Sequence, residues 1–404
     1  MRTCIVRAVL AVLILPAGAG AQSSSLTEAE ALARLSPASP YLRALRAEVD
    51  VARAEVAAAS RWPNPRATVN RESSAGVTEY ITTLTQPLPV TGRRGLDIAS
   101  AAARADAVAS RSDESLRRAR ADLRLAFAAL VEAQAREREL AAAAGQLREL
   151  AAILARREAA GDAAGFDRLR AEREALDVDA ERAAAAVARV RAQGDLAAFF
   201  ERPEQALDVV AVAGAPDRAA LPPLDTLVDR ALSTRGELRA LQQDAEGARL
   251  AERAAGRRRY PEPEIVAGAK TSSAGDTGGV IAVHAAIPLF DRFDPERAAA
   301  RARAARAEAG ADVFRAALVA GIASLRAAVV ERREMAGRYR ASEASSTELE
   351  RIAQVSYDAG ERGILELLDA YRTGAAARVR QAELDGVARR AEIELAFASG
   401  WEID

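Results

Sequence analysis

This chain is written twice, and that constrains its fold more than anything else in it. "LRAL" at 42–45 returns at 238–241, "RWPNP" at 61–65 returns as "RYPEP" at 259–263, "SSAG" at 73–76 recurs at 272–275, and "QPLP" at 86–89 is answered by "IPLF" at 287–290. The offsets are 196, 198, 199 and 201. A fifth match aligns "AAGDAAGFDRLRAER" at 159–173 with "DAGERGILELLDAYR" at 358–372, placing Gly161 on Gly360, Asp162 on Glu361 and Asp167 on Glu366. Five colinear matches at a nearly constant offset predict an internal duplication, so any fold must be one that a half-chain can build twice.

Each half follows one plan. A helix is expected over roughly 27–60 and again over 222–257, followed by a proline-bounded segment. Then come two arms richer in Thr, Val and Ile than their flanks, each pair around a Ser/Gly turn, as strands prefer. Ile281, Val283, Ala285 and Ile287 alternate with other residues. Arms of about 9–12 residues match the length a tilted strand needs to cross a bilayer. A soluble hairpin has the same local signature.

Pro63, Pro65 and Pro87 in the first half are mirrored by Pro261, Pro263 and Pro288 in the second. Proline suits the boundary of a helix or strand and neither interior, so these six are read as strand–helix junctions. From 93 to about 157 there is no proline and only Gly95 and Gly145 break the run. As continuous helix this stretch is about 100 Å long. Leu116, Leu123, Phe127 and Leu130, then Leu147, Leu150 and Leu154, recur at three- and four-residue steps among alanines and Arg/Glu pairs. That pattern predicts coiled-coil-like packing through small residues, and it recurs from about 295 to 357. The expected boundaries are a first repeat at 22–202, with strands at about 66–88 and a helical hairpin at about 92–200. The second repeat spans 203–404, with strands at about 264–290 and a hairpin at about 294–400.

Composition supports helix packed on helix. Half of the residues are hydrophobic but only 4% are aromatic, so a thick core of large side chains is excluded. Residues 1–21 carry Arg2 and Arg7, an apolar run through Leu15 and a small-residue "AGA", the pattern of a secretory signal peptide cleaved after Ala21. The one cysteine, Cys4, lies in that leader, which leaves no disulfide and no thiolate ligand. No other stretch is expected to approach the length of a transmembrane helix. A net charge of −1 gives no electrostatic reason to expect nucleic acid.

No catalytic constellation is readable, and no cofactor is expected. The single histidine, His284, falls in an expected strand, which rules out a His-based triad or a multi-His metal site. "AGDAAG" lacks the Lys-Ser/Thr of a phosphate-binding loop.

Four short strands cannot close a barrel, and an open hairpin pair leaves edge groups unsatisfied in lipid. Three copies would supply twelve strands, enough to surround a lumen. The expected class is therefore mainly α with a small transmembrane β part: a duplicated repeat, forming a trimeric twelve-stranded β-barrel with four strands per chain, continued by a long α-helical barrel.

At this point the sequence resembles the outer-membrane efflux channels of the TolC type, over essentially the whole chain after the leader. The specific part is "YDAGERGILELLDAYR" with "ARVRQAELDGVARRAEIELAFASG", similar to that family's second hairpin tip and returning helix. "TQPLPVTGRRGLDIASAAARADA" and "IPLFDRFDPERAAARARA" resemble its heavy-metal branch, the cobalt–zinc–cadmium resistance outer-membrane proteins. The resemblance implies a homotrimer in the outer membrane of a Gram-negative bacterium, with the helical barrel in the periplasm. It further implies a periplasmic adaptor and an inner-membrane transporter, often of the resistance–nodulation–division class, as partners.

It also implies a role for the tips as a periplasmic gate. The family's closing residues fall on Tyr357, Arg362, Glu366 and Asp369, with Asp167 of the first tip as the partner for Tyr357 and Arg362 of a neighbouring helix pair. Glu366 and Asp369, three apart on a helix, share a face. Tripled by symmetry they make a carboxylate ring of the kind that favours cations. Two departures stand out. Arg168 and Arg170 are positioned to tie up Asp167 locally, and Glu366 replaces the family's aspartate. Two rival readings are a periplasmic coiled-coil structural or adaptor protein, and the outer-membrane component of type I protein secretion. Adaptors carry one helical hairpin between lipoyl-like halves, which two full repeats argue against.

Overall fold

The computed structural model describes residues 25–35, 40–161, 165–206, 208–214 and 220–401. The leader at 1–21 and Asp162 lie outside these. In chain order the elements are β1 (Ser25–Leu26), α1 (Glu28–Ala33), α2 (Pro40–Ala59), β2 (Arg66–Ser74), β3 (Val77–Pro87), α3 (Arg93–Ala160) and α4 (Gly165–Ala197). There follow β4 (Val210–Ala211), α5 (Leu224–Thr234), α6 (Gly236–Arg257), β5 (Pro263–Ser272), β6 (Thr277–Ala285), α7 (Asp294–Asp358) and α8 (Ile364–Ser399).

The described residues are mostly helix, with one four-stranded sheet and one short two-stranded pairing. At 68 and 65 residues, α3 and α7 each run for about 100 Å. α3 doubles back as α4 and α7 as α8, and the two hairpins lie side by side through α3 and α8. α2 packs on α3, and α6 lies between α3 and α7. The buried positions are mainly Ala and Leu, among them Leu123, Leu130, Leu147, Leu150 and Leu154 of α3. Alanine lets the axes approach closely, and arginine–carboxylate bridges stitch the flanks. Arg189 on α4 donates to Glu137 on α3 at 2.5 Å, Arg378 on α8 to Glu350 on α7 at 2.7 Å, and Arg390 on α8 to Glu132 on α3.

The four longer strands form one antiparallel sheet in the order β2-β3-β5-β6, so the two halves join where β3 pairs with β5. Ala75 and Gly76 close the first hairpin with both φ angles positive, 49° and 84°, as a two-residue turn that follows strand twist requires. The register sorts the side chains onto two unlike faces. Val69 on β2, Tyr80 and Leu84 on β3, Ile265 on β5 and Ile281 and Val283 on β6 share one face. These residues are exposed, Ile281 at 87% and Val283 at 69%. The other face carries Asn70, Glu72, Glu79, Lys270 and His284, with Lys270 paired to Glu79 at 2.6 Å. Arg71, over the Tyr80 ring at 6.0 Å, is the one charged side chain on the apolar face of these strands, and the other charges keep to the opposite face, the pattern of a sheet with a non-aqueous exterior and a wet interior.

Pro63 and Pro65 lie in the α2–β2 connector, Pro87 ends β3, Pro263 begins β5, and Pro261 and Pro288 lie in the adjoining connectors. Three expectations need correction. The helix expected at 222–257 is broken at Arg235, which is extended (φ −67°, ψ 114°). Its guanidinium sits 2.7 Å from Glu114 and 4.7 Å from the Phe397 ring centre, and the Gly236 N–H donates to Glu114 at 3.1 Å. These long-range contacts hold the bend. The helix expected at 27–60 appears as α1 and α2. Finally, by length and composition alone α7 contains a stretch apolar enough to cross a membrane, and only 17% of that stretch is buried within the chain. Its run of Ala and Val leaves Val313, Val319 and Val330 exposed.

A parallel two-residue pairing joins β1 to β4 and buries Leu26 completely. Beside it Glu28 accepts hydrogen bonds from Arg124 of α3 and, at 3.0 Å, from Arg389 of α8, so one carboxylate ties both halves. Burial alone would raise the Glu28 pKa, but Arg389 and Arg124 outweigh it and hold the group below the ordinary carboxylate value.

Candidate functional site

The two helical tips lie together at the end of the molecule away from the sheet. Gly161 ends α3 with φ +87° and Gly360 follows α7 with φ +74°, the left-handed conformation that glycine adopts without steric cost. At the second tip the Gly360 N–H donates to the Tyr357 carbonyl (3.0 Å) and the Glu361 N–H to the Ser356 carbonyl (2.9 Å). This pair of bonds is a Schellman motif, which satisfies the last carbonyls of α7 and reverses the chain into α8.

One core supports both tips. Leu147, Leu150 and Leu154 of α3 and Ala171 and Ala175 of α4 pack with Ala353 of α7 and Ile364, Leu367 and Leu368 of α8. Each buried leucine here contributes roughly 1.5–3 kcal/mol. Tyr357 packs against this cluster from the α7 side. Burial pushes its phenol above the ordinary value, the charge of Asp167 adds to that, and Arg157 opposes it. Asp167, in the first turn of α4, therefore lies within electrostatic reach of Tyr357 in the same chain. Arg157 also pairs with Asp358 at 3.7 Å.

Among the described residues no ion pair joins Arg362 to Asp167 within the chain. Arg362 is in the turn before α8 and, with Glu366, Asp369, Leu349 and Ile352, lines a cleft of about 210 Å³. Among the described residues Arg362 has no carboxylate within ion-pair distance. Asp369 is held by Arg372 at 3.0 Å, and Glu366 lies one helical turn before it on the same exposed face. The expectation that Arg168 ties up Asp167 is corrected. Arg168 donates to Glu158 on α3 at 2.5 Å and to Glu172 at 2.8 Å, and these two acids hold its pKa above the ordinary arginine value. Glu158 was not singled out from sequence. The i, i+4 spacing of Arg168 and Glu172 was the one local signal that could have diverted attention from Asp167.

Among the described residues no group of three or more His, Cys, Asp or Glu is placed to hold a metal ion. His284 lies on β6, opposite Glu264.

The profile of the outer membrane efflux protein family matches residues 227–401, within the second repeat. No curated protein matches the sequence. Among solved structures, the chain resembles the outer-membrane channel OprN (19% identity, TM-score 0.79, 93% of this chain and 90% of that one). It resembles the outer membrane protein VceC of Vibrio cholerae (17%, 0.77, 92% and 96%). It also resembles the CmeC outer membrane channel of Campylobacter jejuni (14%, 0.79, 99% and 94%). The fold is therefore the one these channels share, along nearly the whole chain.

Proposed function

We propose that this chain is one subunit of an outer-membrane efflux channel, in which three copies close a twelve-stranded barrel around a lumen and their helical hairpins prolong it into the periplasm. The carrying observation is the sheet. Four antiparallel strands of 9–11 residues set one exposed apolar face against one charged face, and they continue directly into helices that run for about 100 Å. The family match over 227–401 and the shared channel fold support the same reading. The exposed apolar face of α7 is then covered by the neighbouring subunit's helices. The channel works passively, with an adaptor and an inner-membrane transporter, of the resistance–nodulation–division class, delivering its cargo. Heavy-metal cations as cargo rest on the resemblance of the 85–107 and 287–304 segments to that branch.

The test is fractionation followed by planar-bilayer recording. The protein is expected in the outer membrane as a cross-linkable trimer that forms discrete channels in detergent-free lipid. A water-soluble monomer that never enters a bilayer overturns the proposal. The tips form the gate in this reading, closed in part by Asp167 meeting Arg362 and Tyr357 of a neighbouring hairpin. The pair D167A and R362S together is expected to raise single-channel conductance several-fold, and unchanged conductance removes the gate assignment. A deletion strain tested for sensitivity to cobalt, zinc and cadmium decides the cargo.

A further inference from the structure

The duplication repeats one motif whose purpose the channel reading does not absorb: Arg-aromatic-Pro, as Arg61-Trp62-Pro63 and Arg259-Tyr260-Pro261. Both copies sit at the helix end of the sheet, flanking the exit of β3. The Gln86 side chain donates to the Pro63 carbonyl at 3.0 Å, and the Leu88 N–H donates to the Pro263 carbonyl at 2.9 Å. Trp62 is 60% exposed and Tyr260 43%. Each ring carries a guanidinium on its face, Arg94 at 5.2 Å from the Trp62 centre and Arg259 at 4.8 Å from that of Tyr260. Arg259 also donates to the Tyr260 hydroxyl at 2.7 Å.

The charges here are left over. Arg61, Arg257, Arg258 and Arg259 are exposed, and none has a carboxylate within ion-pair distance among the described residues. Two of the nearby acids are engaged, and a third, Glu264, lies on the charged face of the sheet opposite His284. Glu262 accepts from Arg93 at 3.0 Å and from Thr91 at 2.8 Å, and Asp291 accepts from the Phe293 N–H at 2.9 Å. Higher on the helices, by contrast, Arg378, Arg389 and Arg390 each bridge acids. The same junction exposes Ile287, Leu289 and Phe290.

We propose that the doubled junction binds the phosphates of anionic phospholipid in the leaflet nearer the helices. The proposal rests on the reading of the sheet as membrane-embedded. An amphipathic ring at the lipid–water boundary keeps its body in the acyl region and its polar edge wet. A guanidinium stacked on it presents a planar fork that matches two phosphate oxygens. With arginines in excess of free acids, the complement is a negatively charged headgroup rather than a zwitterionic one.

The test is native mass spectrometry of the detergent-solubilised full chain with added phosphatidylglycerol or phosphatidylethanolamine, each with and without millimolar inorganic phosphate. The wild type is expected to retain phosphatidylglycerol preferentially, with or without phosphate. The variant R257Q/R258Q/R259Q is expected to lose that preference by at least about tenfold, since each arginine at an anionic surface is worth roughly fivefold. R257K/R258K/R259K is expected to fall between the two, since lysine keeps the charge but not the planar fork. A glutamine variant with wild-type retention, a wild type without preference, or full displacement by inorganic phosphate each overturns the inference. The two readings fail separately. If the glutamine variant conducts in planar bilayers and its lipid retention is unchanged, only the lipid site falls. A wild type that never enters a bilayer removes the channel reading as well.

Discussion

The two tips descend from one sequence, and they differ in where their charges go. In the first, Arg168 is consumed by Glu158 and Glu172, while Asp167 stays within electrostatic reach of Tyr357. In the second, Arg362 stays open beside Glu366 and Asp369 at the mouth of a cleft. A duplicated element keeps its backbone device, the left-handed glycine, and diverges in its electrostatics. In the proposed gate the first tip contributes Asp167 and is otherwise a brace, while the second is the working surface.

The largest expected effect would show whether the two tips are separate at all. Leu367 is fully buried in the core beneath both. Leu367→Ala is expected to cost about 2–5 kcal/mol. Because that core is shared, hydrogen exchange should accelerate at both glycine turns. Acceleration confined to 355–375 would mean the tips are held independently.

A second measurement sharpens the contrast. Glu366→Gln with Asp369→Asn is expected to lower the cation-over-anion permeability ratio of the reconstituted channel several-fold. Glu158→Gln with Glu172→Gln is expected to leave it unchanged. Equal effects would erase the distinction between brace and working surface.

The smallest effect is a pH dependence. The Tyr357 phenol is raised above its ordinary 10.0 by burial first and then by Asp167, with Asp358 adding and Arg157 opposing. Its native pKa exceeds the unfolded one, so its contribution to stability is complete below pH 10 and is lost as pH rises through the native value. Tyr357→Phe should flatten the fall in melting temperature above pH 10. An unaltered slope would place the phenol outside the core that carries both tips.

How much of this was legible follows from the range of the forces involved. The long helices are local: 65 residues without proline, with leucines at three- and four-residue steps, force α3 whatever its neighbours do. The glycine turns and the hairpins are local as well, because Gly76, Gly161, Gly275 and Gly360 take the positive φ within the turns themselves. The break at Arg235 is not local. It is fixed by Glu114, about 120 positions earlier, and by Phe397, about 160 later, and no window around 235 contains either. The β1–β4 pairing is two residues long, too short to leave a period. At the site, the acids on α8 were pointed to by the family resemblance, and their i, i+3 spacing put them on one helix face. The Glu158–Arg168 bridge crosses the hairpin, and only the folded tip brings its ends together.

The clasp at Glu28 has a consequence for how such a chain is made. Its carboxylate belongs to the first described helix, and Arg389 belongs to the last. Whatever the direction of delivery, the two jaws arrive 361 positions apart. The Arg389 side of the buckle stays undone until the 361 positions between the jaws have emerged, while in N-terminus-first delivery Arg124, 96 positions from Glu28, can close earlier.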